Sequence, residues 1–228
     1  KQEKARQQIC EYLNINKEEL PYICELIKVK DQEQEWENAI EKLLRNFGLS
    51  LLVQEKYYKK ASDFINRTTF HETEVRFYKI FDNNNENREQ TKNRKHYIIN
   101  KIEIKPDTNS VFRNWIENQT NKQFDYLCCE EIDCLQTANK AITKSGLIKR
   151  NQYHHEKYDT KLISKSKYIL GWDNSEKIAV LENERKNLQA KLKAKNAEKK
   201  LLNAKIETLK NKQAAVNSLL EISDFSDI

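Results

Sequence analysis

The stretch "SEKIAVLENERKNLQAKLKAKNAEKKLLNAKIETLKNKQAAVNSLLE", residues 175–221, repeats apolar side chains at heptad spacing. With Ile178 as the first core position, nine of the thirteen core positions are apolar, and no glycine or proline interrupts them. About six such heptads predict one coiled-coil helix, roughly 70 Å long at ~1.5 Å per residue. Asp173 and Asn174 supply its N-cap. Because water would otherwise cover the leucine stripe, we expect a partner helix on it.

The partner helix is expected upstream of this sequence. No methionine occurs among the 228 residues, and we expect the sequence to be an excised fragment or a processed product. Residues 1–13, "KQEKARQQICEYL", have the pattern of the end of a helix. A second arm that runs up to this helix would place the intervening domain at the tip of a coiled-coil hairpin.

The residues between the two helical ends predict a compact domain of helices and strands. Helical spacing marks three segments, and alternation with β-branched residues marks six strands. The helices are 35–48, 54–67 and 110–121, and the strands are 23–29, 49–53, 74–81, 97–104, 124–129 and 167–172. The predicted class is therefore α+β with a long C-terminal coiled-coil helix.

The expected domain boundaries follow from these patterns. Residues 1–14 are predicted to end an N-terminal arm, 15–172 to form the compact domain, and 173–228 to begin the C-terminal arm. Residues 82–96, "DNNNENREQTKNRKH", contain no aliphatic or aromatic hydrophobe. Such a stretch cannot bury apolar surface, so we expect a peripheral excursion between two strands.

Positive charge is concentrated where the compact domain meets the C-terminal arm. The stretch 140–168 carries eight lysines and arginines against two acids, and it interleaves them with tyrosines. This composition suits phosphate neutralisation and base stacking, so it predicts DNA binding. A solvated stretch that only keeps the chain soluble, or that orders the turn into the arm, explains the same composition. The predicted DNA contacts are Lys144, Lys149, Arg150, His154, Lys157 and Lys161.

The sequence predicts no catalytic, cofactor-binding or metal-binding residue, and thus no enzyme activity. Zinc ligands are usually paired as C-x2-C, whereas Cys128 and Cys129 are adjacent, and a buried strand explains them better. Cys134 is expected on a helix face. Five cysteines are an odd number that fits a disulfide framework poorly, which favours a reducing cytosol. No phosphate-binding glycine loop and no apolar run of membrane length occurs.

Nine short segments between residues 9 and 182 recur together in one family. They are "ICEYLNI", "WENAIEKLLRNFGLSLLV", "FINRT", "IEIKPD", "FDYLCC", "AITKSGLIK", "HEKYD", "YILGWDN" and "EKIAVLE". In this order they resemble the hinge region of SMC-like ATPases related to MukB and MksB, most of all the JetC subunit of Wadjet plasmid-defence systems. Residues 26–66 are also similar to the first half of SMC hinges. In that half, a strand, an acidic turn, a helix and a second strand precede a further helix.

The resemblance implies a function that the residues alone do not. It implies homodimerisation through the compact domain, an ATPase head outside this sequence, kleisin-type and accessory subunits, and DNA-loop extrusion in defence against plasmids. SMC hinges dimerise through glycine-rich strand edges, and this sequence has only three glycines, so their dimer surface is not transferred. The alternative is a coiled-coil interaction scaffold whose compact domain does not dimerise.

Overall fold

The computed structural model describes residues 2–71, 73–81, 96–157, 165–172 and 175–220. It divides the chain into a compact unit, Lys1–Asn174, and an arm unit, Ser175–Ile228. The compact unit mixes helices and strands, whereas the arm unit contains one long helix. The predicted α+β class with a long C-terminal helix is confirmed. Most of the predicted excursion at 82–96, and the predicted cap residues Asp173 and Asn174, lie outside the described residues.

Helices in the compact unit match the predicted helical patterns closely. The α-helices are α1 (Gln2–Leu13), α2 (Glu37–Gly48), α3 (Glu55–Arg67), α4 (Ser110–Gln123) and α5 (Ile132–Thr137). Short 3-10 helices cover Lys17–Glu19, Ile23–Glu25, Asp31–Trp36, Ile98–Asn100 and Lys165–Lys167. Two of these, Ile23–Glu25 and Ile98–Asn100, replace the first half of predicted strands. Each of those strands is therefore shorter than predicted.

The strands of the described residues form three sheets. The strands are β1 (Ile27–Val29), β2 (Ser50–Gln54), β3 (Arg76–Ile80), β4 (Ile102–Ile104), β5 (Leu127–Cys129), β6 (Ala141–Thr143), β7 (Leu147–Lys149) and β8 (His155–Lys157). β1 pairs antiparallel with β4, and β2 pairs parallel with β3. The third sheet has the order β5-β6-β7-β8, with a parallel first pair and antiparallel hairpins after it.

The main core forms around α2 and β2. Along α2, Ile40, Leu44 and Phe47 recur at helical spacing and are almost completely buried. The Phe47 ring lies 4.8 Å from the Phe124 ring, centroid to centroid. β2 is buried on both faces, which explains its continuous apolar sequence. These elements hold the compact unit together.

Helix α1 belongs to the compact unit. Its Tyr12 ring stacks on Phe64 of α3 at 4.4 Å. The buried guanidinium of Arg6 donates to Glu25 at 2.6 Å and also pairs with Glu3. These contacts fix the start of the chain on the compact unit, and the assignment of residues 1–14 to an arm stays a prediction.

The predicted strand at 167–172 is wrong. Residues Lys165–Lys167 form a 3-10 turn, and the segment after it pairs with no strand. The buried carboxylate of Glu41 accepts the backbone N–H groups of Ile169 and Leu170 at 2.9 and 2.8 Å. Because a side chain satisfies these donors, the segment needs no ladder partner. The alternation of apolar residues in 167–172 therefore results from burial of some of its side chains, and not from pairing with another strand.

The structure also adds strands to the basic stretch, residues 140–168, in which the sequence patterns predict no strand before residue 167. β6, β7 and β8 lie between residues 141 and 157 and form consecutive hairpins. Gly146 occupies the β6–β7 turn with a φ of 83°, a conformation that glycine adopts without steric cost. The cations between residues 141 and 157 therefore lie on a sheet and its turns.

The described residues of the arm unit form a single helix, α6 (Ser175–Leu220), of 46 residues. Its apolar side chains are exposed, as expected for a heptad stripe without its partner. Among the described residues, no helix combines the length and hydropathy that a bilayer-spanning segment requires.

Candidate functional site

Lys144 lies in the β6–β7 turn and bridges two acidic side chains. Its ammonium is 3.0 Å from the Glu35 carboxylate and 3.1 Å from that of Glu130. It also lies 5.5 Å from the centre of the Trp36 ring. Hydrogen bonds to Glu35 and Glu130 raise the pKa of Lys144. This predicted DNA contact therefore already has two anionic partners.

Lys149 is buried and holds the end of a helix. Its residue is 6% exposed, and its Nζ donates to the carbonyl oxygens of Leu135 at 3.1 Å and Gln136 at 2.7 Å. These carbonyls belong to the last turn of α5, where a helix leaves acceptors unpaired and favours a cation. The geometry gives Lys149 the role of a helix C-cap.

Arg150 and His154 converge on one carboxylate. Glu156 Oε1 is 2.6 Å from Arg150 Nε and 2.9 Å from His154 Nε2. The hydrogen bond to Glu156 is the main cause that raises the pKa of Arg150. The partly buried Glu156 therefore pairs with both Arg150 and His154, two of the predicted DNA contacts, across the β7–β8 hairpin.

The β7–β8 turn presents an aromatic side chain to solvent. The side-chain oxygen of Asn151 accepts the backbone N–H groups of Tyr153 and His154 at 2.9 and 2.8 Å. This Asx-type turn leaves Tyr153 89% exposed. Exposed tyrosine beside cations is a feature of nucleic-acid-binding surfaces.

The remaining predicted contacts differ in their placement. Lys157 ends β8, is exposed, and takes part in a contact within the protein. Lys161 lies outside the described residues. The structure therefore groups Arg150 and His154 around Glu156, and it ties Lys144 and Lys149 to residues 130–136. Whether the six residues contact DNA stays a prediction.

Sequence reasoning missed the acceptors that hold these cations. Glu156 is one of only two acids among eight lysines and arginines between residues 140 and 168. This excess of nearby cations indicates that Glu156 pairs with one of them. The acceptors of Lys149 are backbone carbonyls, which no residue pattern reveals. α5 itself was expected only as a helix face around Cys134.

The cysteine interpretation needs a correction. Cys129 and Cys134 form a disulfide, with their Cα atoms 5.5 Å apart, whereas the sequence favoured reduced cysteines. An odd number of cysteines with two of them adjacent argues against a framework of several disulfides, but it leaves room for one bridge across a short turn. Cys128 remains a buried thiol, and burial raises its pKa to about 12. Among the described residues, no group of three His, Cys, Asp or Glu side chains could hold a metal ion.

Comparisons with known proteins give likenesses of fold. No family model matches this chain, and no curated protein matches it. A solved structure described as "Folded elbow of cohesin" matches 95% of this chain and 31% of its own chain, with 18% identity and a TM-score of 0.50. The chain thus spans about a third of the length of that cohesin chain.

Two further structures come from Pyrococcus furiosus. "Smc hinge domain with an extended coiled coil" matches 96% of this chain and 77% of its own, with 19% identity and a TM-score of 0.47. "SMC Protein Hinge Domain" matches 73% and 92%, with 16% identity and a TM-score of 0.45. Over nearly its whole length, this chain shares its fold with part of the cohesin structure.

Proposed function

We propose that this chain is the hinge of an SMC-like ATPase, a compact unit that homodimerises and joins two coiled arms. The observation that carries the proposal is the combination of two parts in one chain. A compact α+β unit precedes a 46-residue helix with an exposed heptad stripe. The fold match over 95% of the chain to a cohesin structure supports it, and the ordered segments of residues 9–182 support it independently.

The mass of the full chain in solution tests this proposal. Light scattering is measured across roughly 1–50 µM, because specific interfaces of standard size dissociate at µM concentrations or below. It should report twice the chain mass of 27.2 kDa. A mass of one chain throughout would contradict the hinge and favour the coiled-coil interaction scaffold without dimerisation.

The wider complex is part of the same proposal. ATPase heads outside this sequence would open and close the arms, together with kleisin-type and accessory subunits, in cytoplasmic defence against plasmids by DNA-loop extrusion. The ordered resemblance to JetC supports this. Cells that carry the complete system should restrict plasmid transformation, and deletion of residues 15–172 should abolish restriction. Undiminished restriction by the deleted form would refute this role.

Catalysis is proposed to take place outside this chain, and this part is proposed to need no cofactor. Its glycines are too few and too dispersed to form a phosphate-binding loop. The purified chain should therefore not hydrolyse ATP, and a malachite-green assay for released phosphate measures this. Turnover that survives repurification would refute the assignment.

DNA binding by the β6–β8 hairpins is an auxiliary proposal. Exposed Tyr153, together with the nearby cations of the stretch, supports it. Because phosphate contacts release counterions, a variant with Lys144→Gln and Lys157→Gln should weaken binding and flatten the salt dependence, by about one contact for each of the two lysines that binds a phosphate. Lys149 is left unchanged because its substitution would disturb α5.

A matched control removes the same charge elsewhere. The variant with Lys59→Gln and Lys60→Gln loses two exposed cations from α3, and it should bind DNA with the affinity and salt slope of the unchanged chain. Fluorescence anisotropy of a labelled duplex at several salt concentrations measures both variants. Equal behaviour of the two variants would argue against a site on the hairpins.

A further inference from the structure

The disulfide fastens a short segment to the edge of a sheet. Cys129 is the last residue of β5 and is 1% exposed, whereas Cys134 lies in α5 and is partly exposed. We define the α5 segment as residues 130–138, the turn after β5 together with α5 and its C-cap. Only six residues of it are helical, too few for a helix to persist without tertiary contacts.

Apolar packing and hydrogen bonds also hold the α5 segment in place. Leu135 packs with Cys129 and Ala141 in a small cluster that is separate from the main core, and the partly buried Leu127, Cys134, Ala138 and Leu147 pack against it. The buried ammonium of Lys149 donates to the carbonyls of Leu135 and Gln136. Because this cluster is small compared with the main core, the covalent link adds to an attachment that apolar packing alone makes only in part.

The same segment holds two cations of the basic stretch. Glu130 pairs with Lys144 at 3.1 Å, and the end of α5 accepts from Lys149. If the segment detached, Lys149 would lose its acceptors, and a buried ammonium without acceptors must move to water. Detachment of the α5 segment would therefore expose Lys149 to another anion, and it would remove one of the two carboxylates that hold Lys144, which keeps Glu35 at 3.0 Å.

We propose that the Cys129–Cys134 disulfide is a redox-sensitive clasp that keeps the α5 segment on the sheet and thereby controls access to the buried ammonium of Lys149. A dithiol reductant opens it. The consequence for nucleic acid rests on the proposed DNA binding. Cys128 does not compete for the bond, because its buried thiol stays protonated near neutral pH.

The chemistry is a two-electron exchange. A thiolate of the reductant attacks Sγ of Cys134, the more exposed sulfur, and the Cys129 thiolate leaves and takes up a proton. The second thiol of the reductant then attacks the mixed disulfide and releases Cys134 as a thiol. Two protein thiols form, and the reductant becomes a cyclic disulfide.

Hydrogen exchange of the full chain tests the clasp. Oxidised protein is compared with protein reduced with dithiothreitol. Mass spectrometry distinguishes the two states, because the reduced protein is heavier by two hydrogens. Amides of the α5 segment should exchange roughly tenfold faster after reduction, while those of α2 remain unchanged. The matched control is Cys134→Ser, which should exchange rapidly in this segment with or without dithiothreitol.

Two outcomes would overturn the clasp. One is equal exchange of the α5 segment in oxidised and reduced protein. The other is failure of the disulfide to form after treatment with oxidised glutathione. DNA anisotropy on the same samples should show tighter binding after reduction. If neither form binds DNA although the segment is released, the DNA proposal fails and the clasp remains.

Discussion

Helices α2 and α6 use similar apolar side chains in opposite environments. In α2, Ile40 and Leu44 are 0% exposed, because they lie inside the main core of the compact unit. In α6, Leu188 and Leu202 are 64% and 59% exposed. The apolar face of α2 is buried within the compact unit, whereas the apolar stripe of α6 is exposed, and we expect a second helix to pack against it. Identical substitutions in the two helices should therefore have different consequences.

Truncation of a leucine gives the largest expected contrast. Leu44→Ala removes buried methyl groups and leaves a cavity, so it should lower the free energy of unfolding by about 3 kcal/mol. Leu188→Ala in α6 should change it by less than about 0.5 kcal/mol, as exposed substitutions do. Urea denaturation followed by tryptophan fluorescence reports on the compact unit, which contains all three tryptophans. Equal losses would contradict the contrast.

Removal of a carboxylate should have the next largest effect. Glu41→Ala leaves the N–H groups of Ile169 and Leu170 without their acceptor, which should cost about 2–3 kcal/mol. Glu182→Ala removes an exposed carboxylate from α6 and should be nearly neutral. Urea midpoints for both variants check this, and a neutral Glu41→Ala would show that water replaces the carboxylate.

The capping lysine should matter less than the buried carboxylate. Lys149→Met keeps the aliphatic stem and removes the donor to the last turn of α5, so it should destabilise the protein by about 1–2 kcal/mol. Lys193→Met in α6 is the control and should be silent. Thermal unfolding of both variants measures the difference. No shift for Lys149→Met would mean that the cap contributes no net stability.

An exposed ion pair of α6 should have the smallest effect. Lys195 and Glu198 lie 2.7 Å apart, and both are well exposed. Exposed helical pairs of this kind contribute about 0.3–0.5 kcal/mol. A double-mutant cycle followed by helix ellipticity measures the coupling, and a value above about 1 kcal/mol would show that the pair is not simply solvated.

Much of the helical structure could be predicted, because periodic burial is a local property. The predicted segments 35–48 and 54–67 correspond to α2 and α3 within a few residues. The segment 110–121 corresponds to α4. Strand β2 was predicted within one residue for the same reason, since its apolar run is continuous.

Features that depend on distant partners were harder to predict. The segment 167–172 has the pattern of a strand, but Glu41 lies more than a hundred positions earlier and takes its donors. β6–β8 were hidden because their lysines suggested a solvated stretch. The pairing of Cys129 with Cys134 depends on the turn between them, which composition does not encode. The anchoring of Lys149 by carbonyls was invisible for the same reason.

The central claim is that the compact unit, and not the arm, makes the dimer. A full chain with Leu188→Lys and Leu202→Lys breaks the heptad stripe but keeps residues that favour helix. Sedimentation equilibrium of this variant is the most direct measurement. A mass of twice 27.2 kDa, equal to that of the unchanged chain, is the predicted result. A monomer, with a dimeric unchanged chain beside it, would place dimerisation in the arm and contradict the hinge.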